Sequence, residues 1–240
     1  MFGWRARIGF LSPSPGGPPT SLLEMQGAAP EGVAFISRNF VGPRSLALAD
    51  LREMAPQIAS LSADLAARTE LDVILTAGAP IVLANGPDEV VRIMADATGV
   101  PATSNIAGIV NAIHRLDLGK VVALAPYYPQ ELVDLFEAHL RSKGIDVEMV
   151  GVGEVPFGAH KEQSPEQTYR RAKRAFLAAG PADGLVLLGG GTPLQSIISV
   201  LEMDIGKPVI ANNQANLWHA LTLAQVREPI PGLGRLMTCF

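Results

Sequence analysis

The sequence predicts an α/β protein with parallel sheets, and three observations carry that expectation. Short apolar runs alternate with helical patterns along nearly all of the 240 residues. The strands, about seven or eight of them, divide evenly around residue 117. The two halves also echo each other: Asp72 leads into "VILTAGAP" and Asp183 into "GLVLLGGGTP". Anchored on the aspartates, Gly78 falls on Gly189; anchored on the prolines, it falls on Gly191. If the echo reflects duplicated units, their strand ends face one another across a cleft, where ligands of open α/β sheets bind.

Each element has its own signal. "RIGFLSP" (7–13) is a strand that breaks into the Pro/Gly loop "SPSPGGPPTS", and "GVAFISRNF" (32–40) is a second strand. Apolar residues three and four apart run through 48–68 as one helix. "LDVILTAGAP" (71–80) is a strand, followed by a helix through "DEVVRIMADATG". The cycle repeats with strand 120–129, helix "QELVDLFEAHLRSKG", strand "DVEMVGVG", a helix near 165–180 and the strand after Asp183. "GKPVIANNQ" (206–214) closes the set before a last helix around Trp218.

Composition excludes several classes. With 48 % apolar and 18 % charged residues the chain reads as globular, and its net charge of −4 has no basic run for nucleic acid or anionic lipid. No stretch approaches the ~18 apolar residues of a membrane span, and the apolar run at the N-terminus is too short for a signal peptide. A cytoplasmic protein acting on small metabolites is expected, as a monomer or small homo-oligomer. The single cysteine, Cys239, allows no intramolecular disulfide and no cysteine-based zinc site. His114, His139, His160 and His219 show no metal-ligand spacing. His139, in a charged helix, reads as solvated.

The remaining motifs read two ways. Gly189-Gly190-Gly191-Thr192-Pro193 at a strand-to-helix turn forms an anion-binding nest of backbone N–H groups, helped by the following helix dipole, or only a tight turn. Its spacing matches neither nucleotide-binding glycine motif. The loop after the first strand walls a cleft, with Ser12 or Ser14 as donor, or is merely rigid. "PYYP" (126–129) offers a phenol to an oxyanion, or packs a strand end. Arg38 clamps a carboxylate or makes a surface ion pair.

Several segments in fixed order resemble one superfamily: "IGFLSPS", "LDVILTAGAP", "GVPATSNIAGIVNAIHRLDLGKVVALAPYY", "DGLVLLGGG", "KPVIANNQANLWHAL" and "PGLGRL". The chain resembles the aspartate/glutamate racemase superfamily, in its arylmalonate decarboxylase and maleate isomerase branch. The resemblance implies two Rossmann-like domains related by a pseudo-twofold axis, residues 1–116 with 213–240 and residues 117–212. It also implies cofactor-free chemistry beside a carboxylate, through an enolate or enediolate.

Racemases and maleate isomerases of the superfamily use a cysteine from each domain, and the decarboxylases keep only the second, as proton donor. Those positions fall on Gly78 and Gly189 here. The hydroxyl residues that follow the first position in decarboxylases become Ala79 and Pro80. What carries over is Pro13, with Ser14 beside it, Tyr128 at the tyrosine position, the Gly190 and Gly191 amides, and Thr192 one step on. Cysteine-dependent racemisation and isomerisation are excluded by chemistry, since glycine supplies no thiol.

The expected function is therefore a decarboxylase-like lyase on a small carboxylic or dicarboxylic acid, with Tyr128, Thr192 or water as proton source. The alternatives are a non-catalytic carboxylate-binding homologue and a maleate isomerase or racemase relative with water-based chemistry. Cys239 is expected in a frayed tail, away from any chemistry.

Overall fold

Runs of apolar and β-branched residues long enough to be buried on both faces become parallel strands. The computed structural model describes residues 2–13, 19–156 and 158–240. The first sheet contains β1 (Ala6–Pro13), β2 (Val33–Phe40), β3 (Val73–Thr76) and β4 (Ala102–Ser104), ordered β2-β1-β3-β4. The second contains β5 (Lys120–Leu124), β6 (Asp146–Val150), β7 (Gly184–Leu187) and β8 (Val209–Ala211), ordered β6-β5-β7-β8. The same topology thus occurs twice, and the predicted fold class stands.

The helices of the first half are α1 (Thr20–Ala28), α2 (Leu48–Arg52), α3 (Ala55–Arg68), α4 (Ala79–Ala84), α5 (Pro87–Thr98) and α6 (Asn105–Arg115). Those that follow are α7 (Gln130–Ser142), α8 (Pro165–Ala178), α9 (Gln195–Ile205) and α10 (Asn212–Leu223). The single helix expected over 48–68 is two, because Pro56 in the first turn of α3 cannot continue the hydrogen-bond ladder of α2. Four elements escape the periodicity reading: α1, the short α4, the three-residue β4, and α6 behind it.

The echoing aspartates do the same work in each half. The Asp72 carboxylate accepts from Arg7 N at 2.7 Å, tying the start of β3 to β1. The Asp183 carboxylate accepts from Gly119 N at 3.1 Å and Lys120 N at 2.9 Å, tying β7 to β5. Those hydrogen bonds hold the Asp183 carboxyl below the usual range, the Lys120 one contributing most. The ladders fix the register: Leu11 pairs with Thr76, and Leu124 with Leu187. Gly78 and Gly189 are each two residues past those partners, so the aspartate-anchored alignment is the structural one.

Alternation along the second sheet sends its two faces to different cores. Val121, Ala123, Val186 and Ile210 join the large core shared with the first half. Val122, Leu124, Leu185, Leu187 and Val209 pack under α8 and α9. Helix α10, which follows the last strand of the second sheet, crosses α6, which follows the last strand of the first. Gly108 lets the backbones touch there, since a Cβ on it would lie 2.7 Å from the Ala215 carbonyl oxygen. Among the described residues, no helix is long and apolar enough to cross a membrane.

Candidate active site

Thr76 ends β3, and the chain turns through Ala77 into Gly78, whose φ of +95° lies in the region glycine tolerates best. The Gly78 carbonyl accepts from Ile81 N at 2.9 Å and Val82 N at 3.1 Å, which starts α4 with Ala79 and Pro80 in its first turn. Pro13 covers the glycine: its Cγ is 3.0 Å from where a Gly78 Cβ would stand. Pro13, Gly78, Ala79 and Pro80 are therefore brought together. Ser14 lies outside the described residues.

At the end of β7, Gly189 has φ +123°. A Cβ built there would meet the Tyr127 ring, with Cε1 at 2.9 Å and the hydroxyl at 3.0 Å. Gly190 is just as close to the start of α10. Its Cβ position is 2.8 Å from Asn213 Oδ1 and 3.0 Å from Asn212 Nδ2. Gly191 and the buried Thr192 complete the turn, and Thr192 is already engaged in an interaction. Among the described residues none accepts a hydrogen bond from the N–H groups of Gly78, Ala79, Gly189, Gly190 or Gly191.

One turn of α10 bridges the two ends. Asn212 lies against Gly190, and Asn216, four residues on, donates through Nδ2 to the Thr76 carbonyl at 3.4 Å. One helical turn rises ~5.4 Å, so a single turn of α10 reaches the chain at both strand ends.

The structure replaces Tyr128 with Tyr127 as the ring at Gly189. After β5 the chain turns at Pro126, and Tyr128 N closes that turn on the Ala125 carbonyl at 3.3 Å. This sends Tyr128 into the core, fully buried, and leaves Tyr127 over the end of β7. Among the described residues the Tyr128 hydroxyl meets no partner within hydrogen-bond geometry. Burial raises the pKa of both phenols, with the nearby Tyr128 hydroxyl partly offsetting the effect at Tyr127. Both rings are neutral donors throughout the physiological range.

The helix dipole expected to serve a ligand at the glycine turn is already occupied. Glu24, on α1, accepts through Oε1 from Leu194 N at 2.7 Å and Gln195 N at 3.0 Å, at the N-terminus of α9. Its Oε2 accepts from Asn213 Nδ2 at 2.7 Å. A carboxylate at that point offsets the positive helix end. What is left for a ligand is the glycine backbone itself. Sequence reading missed Glu24, Asn212 and Asn213. The signal for the asparagines was two adjacent polar residues ending an apolar strand, where buried amides need partners.

Other candidates resolve plainly. Arg38 pairs with Asp64 at 3.0 Å, a surface ion pair rather than a carboxylate clamp. His139 is half-buried rather than solvated, and burial lowers its pKa. His219 is held neutral by burial, its pKa lowered to about 4, with Nδ1 2.7 Å from Thr103 Oγ1. Among the described residues no group of His, Cys, Asp and Glu gathers to hold a metal. The tail of Cys239 is tied down rather than frayed: Trp218 Nε1 donates to the Cys239 carbonyl at 2.7 Å, and Arg115 to the Phe240 carbonyl at 3.1 Å.

Two parallel sheets of one topology, each with a strand that ends in a positive-φ glycine turn, define a duplicated α/β protein. Comparison with known proteins places it further. The family model for arylmalonate decarboxylase matches residues 30–237. The chain belongs to the arylmalonate decarboxylase family. It is 29 % identical over 147 residues to arylmalonate decarboxylase from Bordetella bronchiseptica, a match that spans 60 % of this chain and 60 % of that protein. Solved structures share the fold at lower identity. Maleate cis-trans isomerase from Nocardia farcinica, bound to TRIS, superposes with TM-score 0.83 at 22 % identity, covering 97 % of this chain and 98 % of its own. The maleate isomerase Iso from Pseudomonas putida S16 gives 0.82 at 20 % over 97 % and 98 %. Unliganded arylmalonate decarboxylase gives 0.75 at 24 % over 97 % and 98 %.

Proposed function

We propose that this chain is a cofactor-independent, decarboxylase-like lyase acting on a small malonate-type acid between Gly78 and Gly189. The observation that carries the reading is the Tyr127 hydroxyl, 3.0 Å from where a side chain on Gly189 would begin. A proton donor thus stands at the root of the position where the family's decarboxylases carry a thiol.

The chemistry follows from the groups present. One carboxylate of the substrate is held by the N–H groups of Gly190 and Gly191, with Gly78 and Ala79 opposite. Donors fixed before the reaction stabilise charge that develops in the transition state. The second carboxylate leaves as CO2, and the electron pair of the broken C–C bond enters the retained carboxylate as an enediolate. The Tyr127 O–H then protonates the α-carbon, and water restores the phenol. Burial makes Tyr127 a weak acid, yet an enediolate carbon is a far stronger base than a phenolate. Tyr128 and Thr192, the other two hydroxyls here, are read as supporting the turn. Residues 213–240 are grouped with 1–116, because α10 packs on α6, β3 and β4.

The test is incubation with phenylmalonate, methylmalonate and malonate in D2O, following CO2 release and α-deuterium by NMR. Turnover that falls about a hundredfold in Tyr127→Phe, as for loss of one key donor, and little in Tyr128→Phe supports the reading. Absence of both turnover and binding overturns it. Binding without turnover favours a carboxylate-binding homologue, a reading that the lack of a thiol at the strand ends supports.

A further inference from the structure

We infer that Glu24 is a positioning residue that aims the Gly191 N–H at the substrate, through Asn213 and the Gly190 carbonyl. This inference rests on the reading above that the glycine turn holds a carboxylate. Glu24 belongs to α1, between β1 and β2, while everything it binds lies beyond residue 190. It is a link between the halves as well as a helix cap.

The relay is short and each step has a direction. Asn213 has one amide nitrogen with two N–H groups. One donates to Glu24 Oε2 at 2.7 Å, and the other to the Gly190 carbonyl at 3.1 Å. The Gly190–Gly191 peptide is planar and trans, so its C=O and N–H point in opposite directions. Pinning the Gly190 oxygen on Asn213 therefore points the Gly191 N–H away from α10. Between two glycines nothing steric prevents that peptide from turning over, so a hydrogen bond must hold it. The charged acceptor strengthens the bond that orients Asn213, and Gln195 Nε2, donating to the Glu24 backbone carbonyl at 2.9 Å, holds α1 in place.

Glu24→Gln separates positioning from simple support. The retained oxygen still caps Leu194 N and Gln195 N, so α9 keeps its start. The new NH2 faces Asn213 Nδ2, donor against donor. Asn213 must flip, which turns its oxygen toward the Gly190 carbonyl and repels it. Asn213→Ala reaches the same end with Glu24 still on α9, and carries the test if the first variant fails to fold.

Malonate and phenylmalonate binding are measured by calorimetry on the wild-type and both variant proteins, with thermal melting and the 15N–1H signal of Gly191. Both variants are expected to bind about tenfold more weakly, with a shifted, faster-exchanging Gly191 amide and, for Glu24→Gln, a nearly unchanged melting temperature. Wild-type affinity and an unmoved Gly191 signal in both variants would overturn the relay. So would a loss of affinity that only tracks a loss of melting temperature. If the wild-type protein itself binds neither acid, the functional reading fails, and the Gly191 signal still decides the relay.

Discussion

The two glycine ends are the same backbone feature with different surroundings. At Gly78 the chain is covered by Pro13, an apolar ring, and leads into the six-residue α4. At Gly189 it is covered by Tyr127, a donor, and leads through two more glycines toward α9, whose first N–H groups are held by Glu24. By register Pro13 and Pro126 are equivalent, so the difference begins one residue later, where β5 continues into two tyrosines. Duplication fixed where the ends lie, and side chains that break the symmetry assigned their tasks. On the function proposed above, both ends offer backbone N–H groups, and the second alone adds a side-chain donor, Tyr127.

That contrast is broken most directly by adding a Cβ to each end. Gly189→Ala combines φ +123° with a 2.9 Å contact to a buried ring, and the ring has core behind it. Destabilisation of about 2–4 kcal/mol is expected in urea unfolding. Gly78→Ala, at φ +95° and 3.0 Å from the outer edge of a proline, should cost about 1–2 kcal/mol. Equal losses would show that Tyr127 moves freely and that the ends do not differ. Restoring a thiol at Gly189 meets the same obstacle, and Gly189→Cys should be better tolerated once Tyr127 is made alanine.

A second asymmetry sits at the helix crossing. His219 on α10 contacts Thr103 of β4, while by register the equivalent positions on the other side are Ala112 and Ile210. Burial keeps His219 neutral down to about pH 4, whereas its unfolded form protonates near 6.5. Between those values the unfolded state binds the extra proton, so stability falls as pH drops through the window and levels off below it. The full effect is about 3 kcal/mol. The His219→Asn variant should lose this acid limb; an unchanged pH profile would place the cause elsewhere.

The strand ties sharpen the comparison on a smaller scale. Asp183 accepts two backbone N–H groups and Asp72 one. Asp183→Asn should lower the urea midpoint more than Asp72→Asn, and the reverse order would mean that the second half does not rely on its tie.

The pattern of what was legible follows from the same physics. Alternating apolar runs announced about seven or eight strands and the duplication, because a strand buried on both faces must be written in Val, Ile and Leu. Gly78 and Gly189 were legible as strand-end turns, because glycine is the residue that tolerates the positive φ both adopt. The three-residue β4 gave too short a run, and α1 begins inside a Pro/Gly segment that reads as loop. Glu24 was hidden for that reason, and because its partners are backbone groups about 170 residues away. Choosing between Tyr127 and Tyr128 needed the turn at Pro126, and a one-residue shift sends a side chain to the opposite face.

The smallest effect is expected at Cys239, the one thiol in the chain. If the second end had kept cysteine chemistry by relocation, this residue would have to reach it. Its neighbour Phe240 is instead held by Arg115, the last residue of α6, while Ser104, just before the first, pairs with Thr76 at the end of β3 that leads to Gly78. Ten residues of helix separate the two by about 15 Å. Trp218 holds the Cys239 carbonyl at 2.7 Å, which leaves the tail no slack to cross that distance. A proton donor must come within hydrogen-bond reach of the carbon it serves. Cys239→Ser, and iodoacetamide on the wild-type protein, should therefore leave malonate affinity and any CO2 release within about twofold. Loss of either with the fold intact would mean that the tail leaves Trp218 in solution, and would return the thiol to the chemistry of the second end in place of Tyr127.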